Sequence, residues 1–231
     1  MPETLNLSKP QRTIHVGVIL VDSTIEVLDV APVDTLAGMT AHFVRQFPPH
    51  LVPEDLQAQA LPFEFHWVSS TGNAELRSLT GGISVRPTDS YKTCPPLDIV
   101  LMGANEVGYQ PTEADLAYIR KSYEQCSAFI TICGGFQIPM QAGLFEGKTV
   151  TGPRPLLGEL RQMSPGVKWV EKRWARDGKL WTSGSLTNGL DLMHAFTHHY
   201  WGGENTLVDR LAKIGAWPSR DVDYEDVAWA W

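Results

Sequence analysis

The sequence predicts an α/β fold, with an open, mostly parallel sheet and helices on both faces. Three observations predict it. Short apolar or β-branched runs recur at 13–21, 97–104 and 129–132. Segments with helical spacing and capping residues separate them. No internal repeat or dividing linker interrupts this alternation, so one domain over 1–231 is expected.

The elements follow in order. MPETLNLSKPQR (1–12) is polar and lacks the apolar centre of a signal peptide, so it reads as a flexible lead-in. TIHVGVILV (13–21) is β-branched and reads as a buried strand. The next segment carries Leu28, Val33, Leu36 and Ala37 at helical spacing. A helix is expected from about Ala31, with Pro32 in its first turn, where a missing N–H costs nothing. FPPHLVPEDLQAQALP (47–62) is proline-rich with little periodicity and reads as an inserted loop. FEFHWVSS (63–70) alternates as a strand does, and 81–85 reads as an edge strand or hairpin arm.

LDIVLMGA (97–104) is an apolar strand ending in glycine. PTEADLAYIRKSYEQC (111–126) has Thr112 as a cap, acids in its first turn and bases later, all favourable to a helix. After the FITI strand and Cys133, a helix is expected from about Gly135 to Ala142. LFEGKTVTG implies a turn at Gly147 and a short strand, and 156–163 a helix. The stretches 167–176 and 179–182 are expected to pair as a small β-hairpin across Asp177 and Gly178. Thr187 or Asn188 starts a helix to about Tyr200, and 205–214 forms another. GISVRPTDS lacks the Gly-x4-Gly-Lys-Ser/Thr spacing of a phosphate loop, which argues against nucleotide binding.

Composition narrows the function. At 43% hydrophobic and 19% charged, 231 residues can bury a full core. A net charge of −7 argues against a nucleic-acid partner. No run of about eighteen apolar residues occurs, so no membrane span is expected and the cytoplasm is the default location. The three cysteines Cys94, Cys126 and Cys133 have neither disulfide nor zinc-thiolate spacing. Trp229 and Trp231 give the 218–231 tail an apolar end, a candidate surface for a second subunit.

Cys133 stands where a strand turns into a helix, followed by Gly134 and Gly135. Ligands of open α/β sheets bind at the carboxyl ends of the strands. Amides and the dipole of a helix N-terminus favour a thiolate there and can stabilise a neighbouring anion. Such a bend holds its residue in a strained conformation, and glycines let the backbone come close to a substrate. The plain alternative is a buried, inert cysteine, the reading that fits Cys94 and Cys126.

Four segments in order, VGVILVDSTIEVLDVAPVDTL, CPPLDIVLMGA, ITICGGFQIPMQAGLFEGKTVT and DGKLWTSGSLTNGLDLM, resemble the ThiJ/PfpI superfamily. That is the class I glutamine amidotransferase-like group, and the pattern is nearest its isonitrile (isocyanide) hydratase branch. The resemblance runs from about Ile14 to His198 and implies a flavodoxin-like fold, a homodimer and no cofactor. By position, Cys133 matches the nucleophile and Asp29 the acid that faces the thiol. Gly134 and Ala104 match amide donors around a developing anion. Gly103 matches the first glycine of a Gly-Gly turn, and Gly184 a glycine near the site. Two departures stand out. Gly134 replaces the usual Thr or Ser of hydratases, and TGPRP replaces a Thr-His found in many members, which removes a Cys-His dyad from that segment.

The expected function is therefore a cofactor-independent cysteine enzyme acting on a small electrophile. Thiolate addition would be followed by acid/base-assisted hydration, hydrolysis or lysis. Asp29 also reads as an ordinary helix cap, and Glu26 is a second candidate acid. Arg154 is either a ligand for an acidic substrate group or a surface residue. Asn105 and Glu106 either line the pocket or belong to plain loop. His194, His198 and His199 include an i, i+4 pair, but the neighbouring aromatics favour packing over metal. Rival functions are a glyoxalase- or deglycase-like activity on reactive aldehydes, a redox sensor using Cys133, and a pure interaction subunit.

Overall fold

Strand β1 (Ile14–Ile19) is buried along nearly its whole length. The computed structural model describes residues 4–228. Helices α1 (Val27–Val30), α2 (Asp34–Ala37), α3 (Ala41–Val44) and α4 (Glu54–Gln57) follow. Strand β2 (Phe63–Ser69), the hairpin β3 (Arg77–Leu79) and β4 (Ile83–Val85), and the two-residue β5 (Asp89–Ser90) come next. They lead to β6 (Ile99–Met102), α5 (Glu113–Gln125), β7 (Ala128–Thr131), α6 (Gln137–Gln141), β8 (Thr149–Val150) and α7 (Leu157–Met163). The chain continues through β9 (Lys168–Trp169), β10 (Trp174–Asp177), β11 (Leu180–Ser183), α8 (Asn188–Trp201) and α9 (Leu207–Ile214).

Seven strands form one sheet in the order β10-β11-β7-β6-β1-β2-β5. Every pairing is parallel except the β10–β11 hairpin. The register aligns Val16 with Ile99 and Leu101 with Ile130, so the central strands bury apolar side chains against one another. From β1 the chain winds to β2 and β5, then returns to place β6 on the other side of β1. The carboxyl ends of β1 and β6 therefore flank a topological switch point, where open sheets bind ligands.

The predicted fold class is the observed one. The strongest helix signal, at Thr112, is a full capping box: Thr112 Oγ1 accepts from the Asp115 N–H, and Asp115 Oδ2 accepts from the Thr112 N–H at 2.8 Å. Such a cap stabilises a helix by about 1 kcal/mol.

Several expectations need correction. The first helix starts at Val27, with Glu26 as its N-cap, and not near Ala31. Pro32 lies inside the helical run, where its missing N–H tightens Ala31–Val33 into a 3-10 turn between α1 and α2. Over its described part, residues 4–12, the lead-in packs on the body of the fold. Leu7 is buried, its carbonyl accepts from Trp201 Nε1 at 2.6 Å, and Arg12 grips Asp98 through both terminal nitrogens. The 47–62 loop contains α4 and buries Val52 and Leu56. The expected strand 167–176 is two strands: β9 pairs with β8 in a separate sheet, and only β10 joins the hairpin. Trp229 and Trp231 lie outside the described residues.

Candidate active site

At the end of β7 the backbone turns sharply. Cys133 has φ 55°, the left-handed region that non-glycine residues enter at a cost of about 1–3 kcal/mol. Neighbouring strands hold it there. The Cys133 N–H donates to the Gly184 carbonyl at 3.1 Å, and the Ile132 N–H to Met102 O at 3.0 Å. Gly135 is pressed so closely on β6 that a Cβ there would lie 2.3 Å from Met102 O. A Cβ on Gly134 would lie 3.1 Å from that of Ala104. The two glycines thus permit both the bend and the close packing of the elbow on β6.

Asp29 reaches the same place from the switch point. It is fully buried, and its Oδ2 accepts the Ala104 N–H at 2.9 Å. Its Oδ1 has no hydrogen-bonding partner. Gly103 makes room for it, since a Cβ at 103 would stand 2.8 Å from Asp29 Cβ. Glu26 is anchored beside it through its own N–H on Ala104 O at 2.9 Å. The Cys133 sulfur and a carboxylate oxygen from each of Glu26 and Asp29 all lie within 4.8 Å of one another. The Asp29 side chain does not cap the helix: the N-cap is Glu26, and no side chain supplies the cap bond.

The electrostatics differ from expectation. Burial raises the Cys133 thiol to about 11, and the neighbouring Asp29 charge adds to this. The Leu186 and Gly134 N–H groups pull it down but do not prevail. The elbow opens on a four-residue 3-10 turn, whose dipole is short, and two carboxylates flank the sulfur. Burial and the flanking carboxylates thus favour the thiol, where the strand-to-helix position alone predicted a thiolate. Asp29 is raised to about 7, first by burial and then by Glu26, against the Ala104 N–H and the Cys133 thiol, which lower it. Both groups of the pair therefore hold their protons more tightly than they would in water.

The structure brings Cys133, Asp29, Gly103, Ala104, Gly134 and Gly184 into one neighbourhood. Their hydrogen bonds divide the work differently from the sequence reading. The Gly134 amide serves the sulfur, while the Ala104 amide is engaged by Asp29. Gly184 offers its carbonyl to Cys133, and a Cβ there would meet Asn188 Nδ2 at 2.7 Å and Tyr224 Oη at 2.9 Å. No sequence signal marks Leu186 or Tyr224. Leu186, at a strained φ of 47°, sets its backbone amide near enough to the sulfur to lower its pKa, and Tyr224 walls Gly184 from a φ of 63°. Neither contribution uses a chemistry that a residue type announces.

Leu186 also borders a cavity of about 340 Å³ lined by Arg154, Arg173, Asn188, Arg220 and Tyr224. Arg154 pairs with Glu171 at 2.7 Å and lies over the Tyr224 ring. A second, apolar cavity of about 430 Å³ includes Leu28, Phe43 and Trp217; of the 47–62 loop only Phe47 reaches it. Asn105 and Glu106 lie in the loop after β6, where Glu106 N–H donates to Ser23 Oγ at 3.1 Å. Cys126 is sealed in the core and Cys94 is half-buried. His194 Nδ1 lies 3.0 Å from Pro218 O and its ring packs edge-on against His198. Among the described residues, neither belongs to a group of three metal-ligating side chains. No described helix is long and apolar enough to cross a membrane.

Comparison with known proteins adds to this geometry. Residues 54–199 match the family described as DJ-1/PfpI. That span includes Cys133 and begins after Asp29. The isonitrile hydratase of Pseudomonas putida is 32% identical over 135 residues, 56% of this chain. The match spans 57% of that protein's length. The crystal structure of a ThiJ/PfpI family protein from Pseudomonas syringae superposes with a TM-score of 0.68 at 16% identity, covering 93% of this chain and 78% of its own. Drosophila melanogaster DJ-1beta superposes at 0.67, also at 16% identity, covering 90% of this chain and 100% of its own. At such identities the likeness is one of fold.

Proposed function

This chain belongs to the DJ-1/PfpI family, and from that membership and the pairing of Cys133 with Asp29 we propose that it is a cysteine enzyme acting on a small electrophile. The substrate class proposed is an isocyanide, on the likeness to the Pseudomonas putida isonitrile hydratase. The observation that carries the reading is the buried Asp29 carboxyl, held at about 7 within 4.8 Å of a half-buried sulfur on a strained elbow. An acid/base group works best when its pKa lies near the working pH.

The chemistry follows from these groups. Asp29 as carboxylate takes the thiol proton while sulfur attacks the terminal isocyanide carbon. It returns the proton to that carbon, which gives a thioimidate. Water then adds to the same carbon, losing a proton to Asp29, which passes it to nitrogen. The tetrahedral adduct collapses: the carbon–sulfur bond breaks, the hydroxyl proton returns to sulfur, and an N-formamide leaves. The sum is isocyanide plus water to formamide. The Gly134 and Leu186 amides offset the charge on sulfur as it attacks and departs. A thiol at about 11 suits this coupled proton transfer better than peroxide sensing, which favours a low-pKa thiolate.

The test is formamide production from an alkyl isocyanide, followed by NMR. Turnover lost in both Cys133→Ala and Asp29→Asn, with each variant folded, is the expected result. Undiminished turnover in Cys133→Ala would overturn the reading.

A further inference from the structure

At the opposite, amino-terminal end of the strands lies a second constellation that the reaction above does not use. His15 on β1 is paired in register with Glu64 on β2, and His66 follows two residues on. Side chains alternate along a strand, so all three project from one face of adjacent strands. His15 Nδ1 stands 3.0 Å from His66 Nε2. Glu64 brings one oxygen to 3.7 Å from the first nitrogen and the other to 4.0 Å from the second. One ligand atom from each residue lies within 4.8 Å of the other two.

The ring behind them is fixed. Asp89 Oδ2 lies 2.9 Å from His66 Nδ1 and also accepts the Thr88 hydroxyl at 2.7 Å. A carboxylate only accepts, so Nδ1 carries the hydrogen, and Nε2 is the ring nitrogen turned toward His15. His66 is only 5% exposed, so its orientation is locked by packing as well. A carboxylate behind a ligating histidine is the usual support of an imidazole–metal bond. The spacing also fits. Around a tetrahedral ion with zinc–nitrogen bonds of about 2.0–2.1 Å, two ligand nitrogens stand about 3.3 Å apart.

We propose that His15, Glu64 and His66 form a binding site for a divalent transition ion of the zinc class, with Asp89 orienting His66. Two imidazoles and one carboxylate suit a borderline ion better than calcium or magnesium, which prefer oxygen. Glu64 is exposed and His15 partly so, which gives the ion a route in and leaves a fourth position to water. Bridging β1 to β2, the ion would stabilise the folded chain in proportion to its occupancy.

The test is equilibrium dialysis of the full chain against Zn²⁺ in a Cys133→Ala background, which disables the Glu26–Asp29–Cys133 group. One equivalent bound at micromolar concentration is expected, with a rise in Tm on loading. Glu64→Gln and His15→Ala should each weaken binding at least tenfold, and Asp89→Asn about tenfold. Co²⁺ in place of Zn²⁺ should show ligand-field bands without sulfur charge transfer. Circular dichroism of the ion-free variants checks folding, and Glu64→Gln alters only an exposed side chain. Failure of the Cys133→Ala chain to bind, or binding unchanged by Glu64→Gln and His15→Ala, would reduce the pair to a plain histidine–histidine hydrogen bond and overturn the proposal.

Discussion

The buried carboxyl of Asp29 lies within 4.8 Å of the Cys133 sulfur, and the two act on each other's protons in opposite directions. The Asp29 charge lifts the thiol, while the nearby thiol eases the carboxyl down.

Neutralising Asp29 should therefore acidify the thiol. In Asp29→Asn the Cys133 pKa is expected to fall from about 11 by about one unit, since each unit is worth about 1.4 kcal/mol and the charge lies close. Glu26→Gln should move it in the same direction but less, because Glu26 is half-buried and its charge contributes less. Alkylation rates against pH, resolved by peptide mass spectrometry for the three cysteines, check both. An unchanged midpoint in Asp29→Asn would remove the electrostatic link.

Stability should depend on pH through the same carboxyl. Folding raises the Asp29 pKa from 3.8 to about 7, so the folded state binds this proton more tightly than the unfolded state. That contribution is complete below about pH 4 and is lost as pH rises to about 7. Asp29→Asn, which keeps an oxygen for the Ala104 N–H, should differ little from the parent near pH 4. Near pH 8 it should be the more stable, by up to about 4 kcal/mol. Urea unfolding across this range provides the measurement. A constant difference would count against it.

Two glycine substitutions should behave oppositely. Gly135→Ala places a methyl group 2.3 Å from Met102 O and 2.8 Å from Met102 C, both backbone atoms that cannot swing away. A loss of about 3 kcal/mol, or failure to fold, is expected. Gly158→Ala, within α7 and with no atom within 4 Å of the new carbon, should stabilise by up to about 1 kcal/mol. Denaturation midpoints measured side by side decide the matter.

Gly103→Ala should damage turnover more than folding. The added methyl would press on Asp29 Cβ at 2.8 Å and on Val30 Cγ1 at 3.0 Å. A displacement of about an ångström in a catalytic group can cost about 100-fold in rate. We expect kcat on an alkyl isocyanide to fall by about that factor with KM little changed, and the thiol alkylation profile to shift as well. A variant with parental kcat would show that the position of Asp29 is not critical.

The elbow was legible because its parts are adjacent in sequence: an apolar strand, a cysteine and two glycines needed by a tight bend. The capping box at Thr112 was legible for the same reason. Asp29 came from resemblance, since its spacing alone fits an ordinary cap. The upward pull on the Cys133 proton is not legible in the sequence, because it depends on burial and on carboxylates brought from a distant element, while the visible local signal is the helix that follows. The sequence pattern places the first helix late because Glu26 is not a residue that usually begins one, whereas Pro32 is favoured near a start. Leu186 acts through a backbone amide, which no side chain advertises.

Gly184, whose carbonyl holds the Cys133 backbone, is itself walled by the hydroxyl of Tyr224, and Arg173 beside it is tied to Val222 and Asp226. A ribosome that has already delivered the nucleophile must still add Tyr224 before that wall exists. A nascent chain that stops short of this tyrosine lacks the wall behind Gly184.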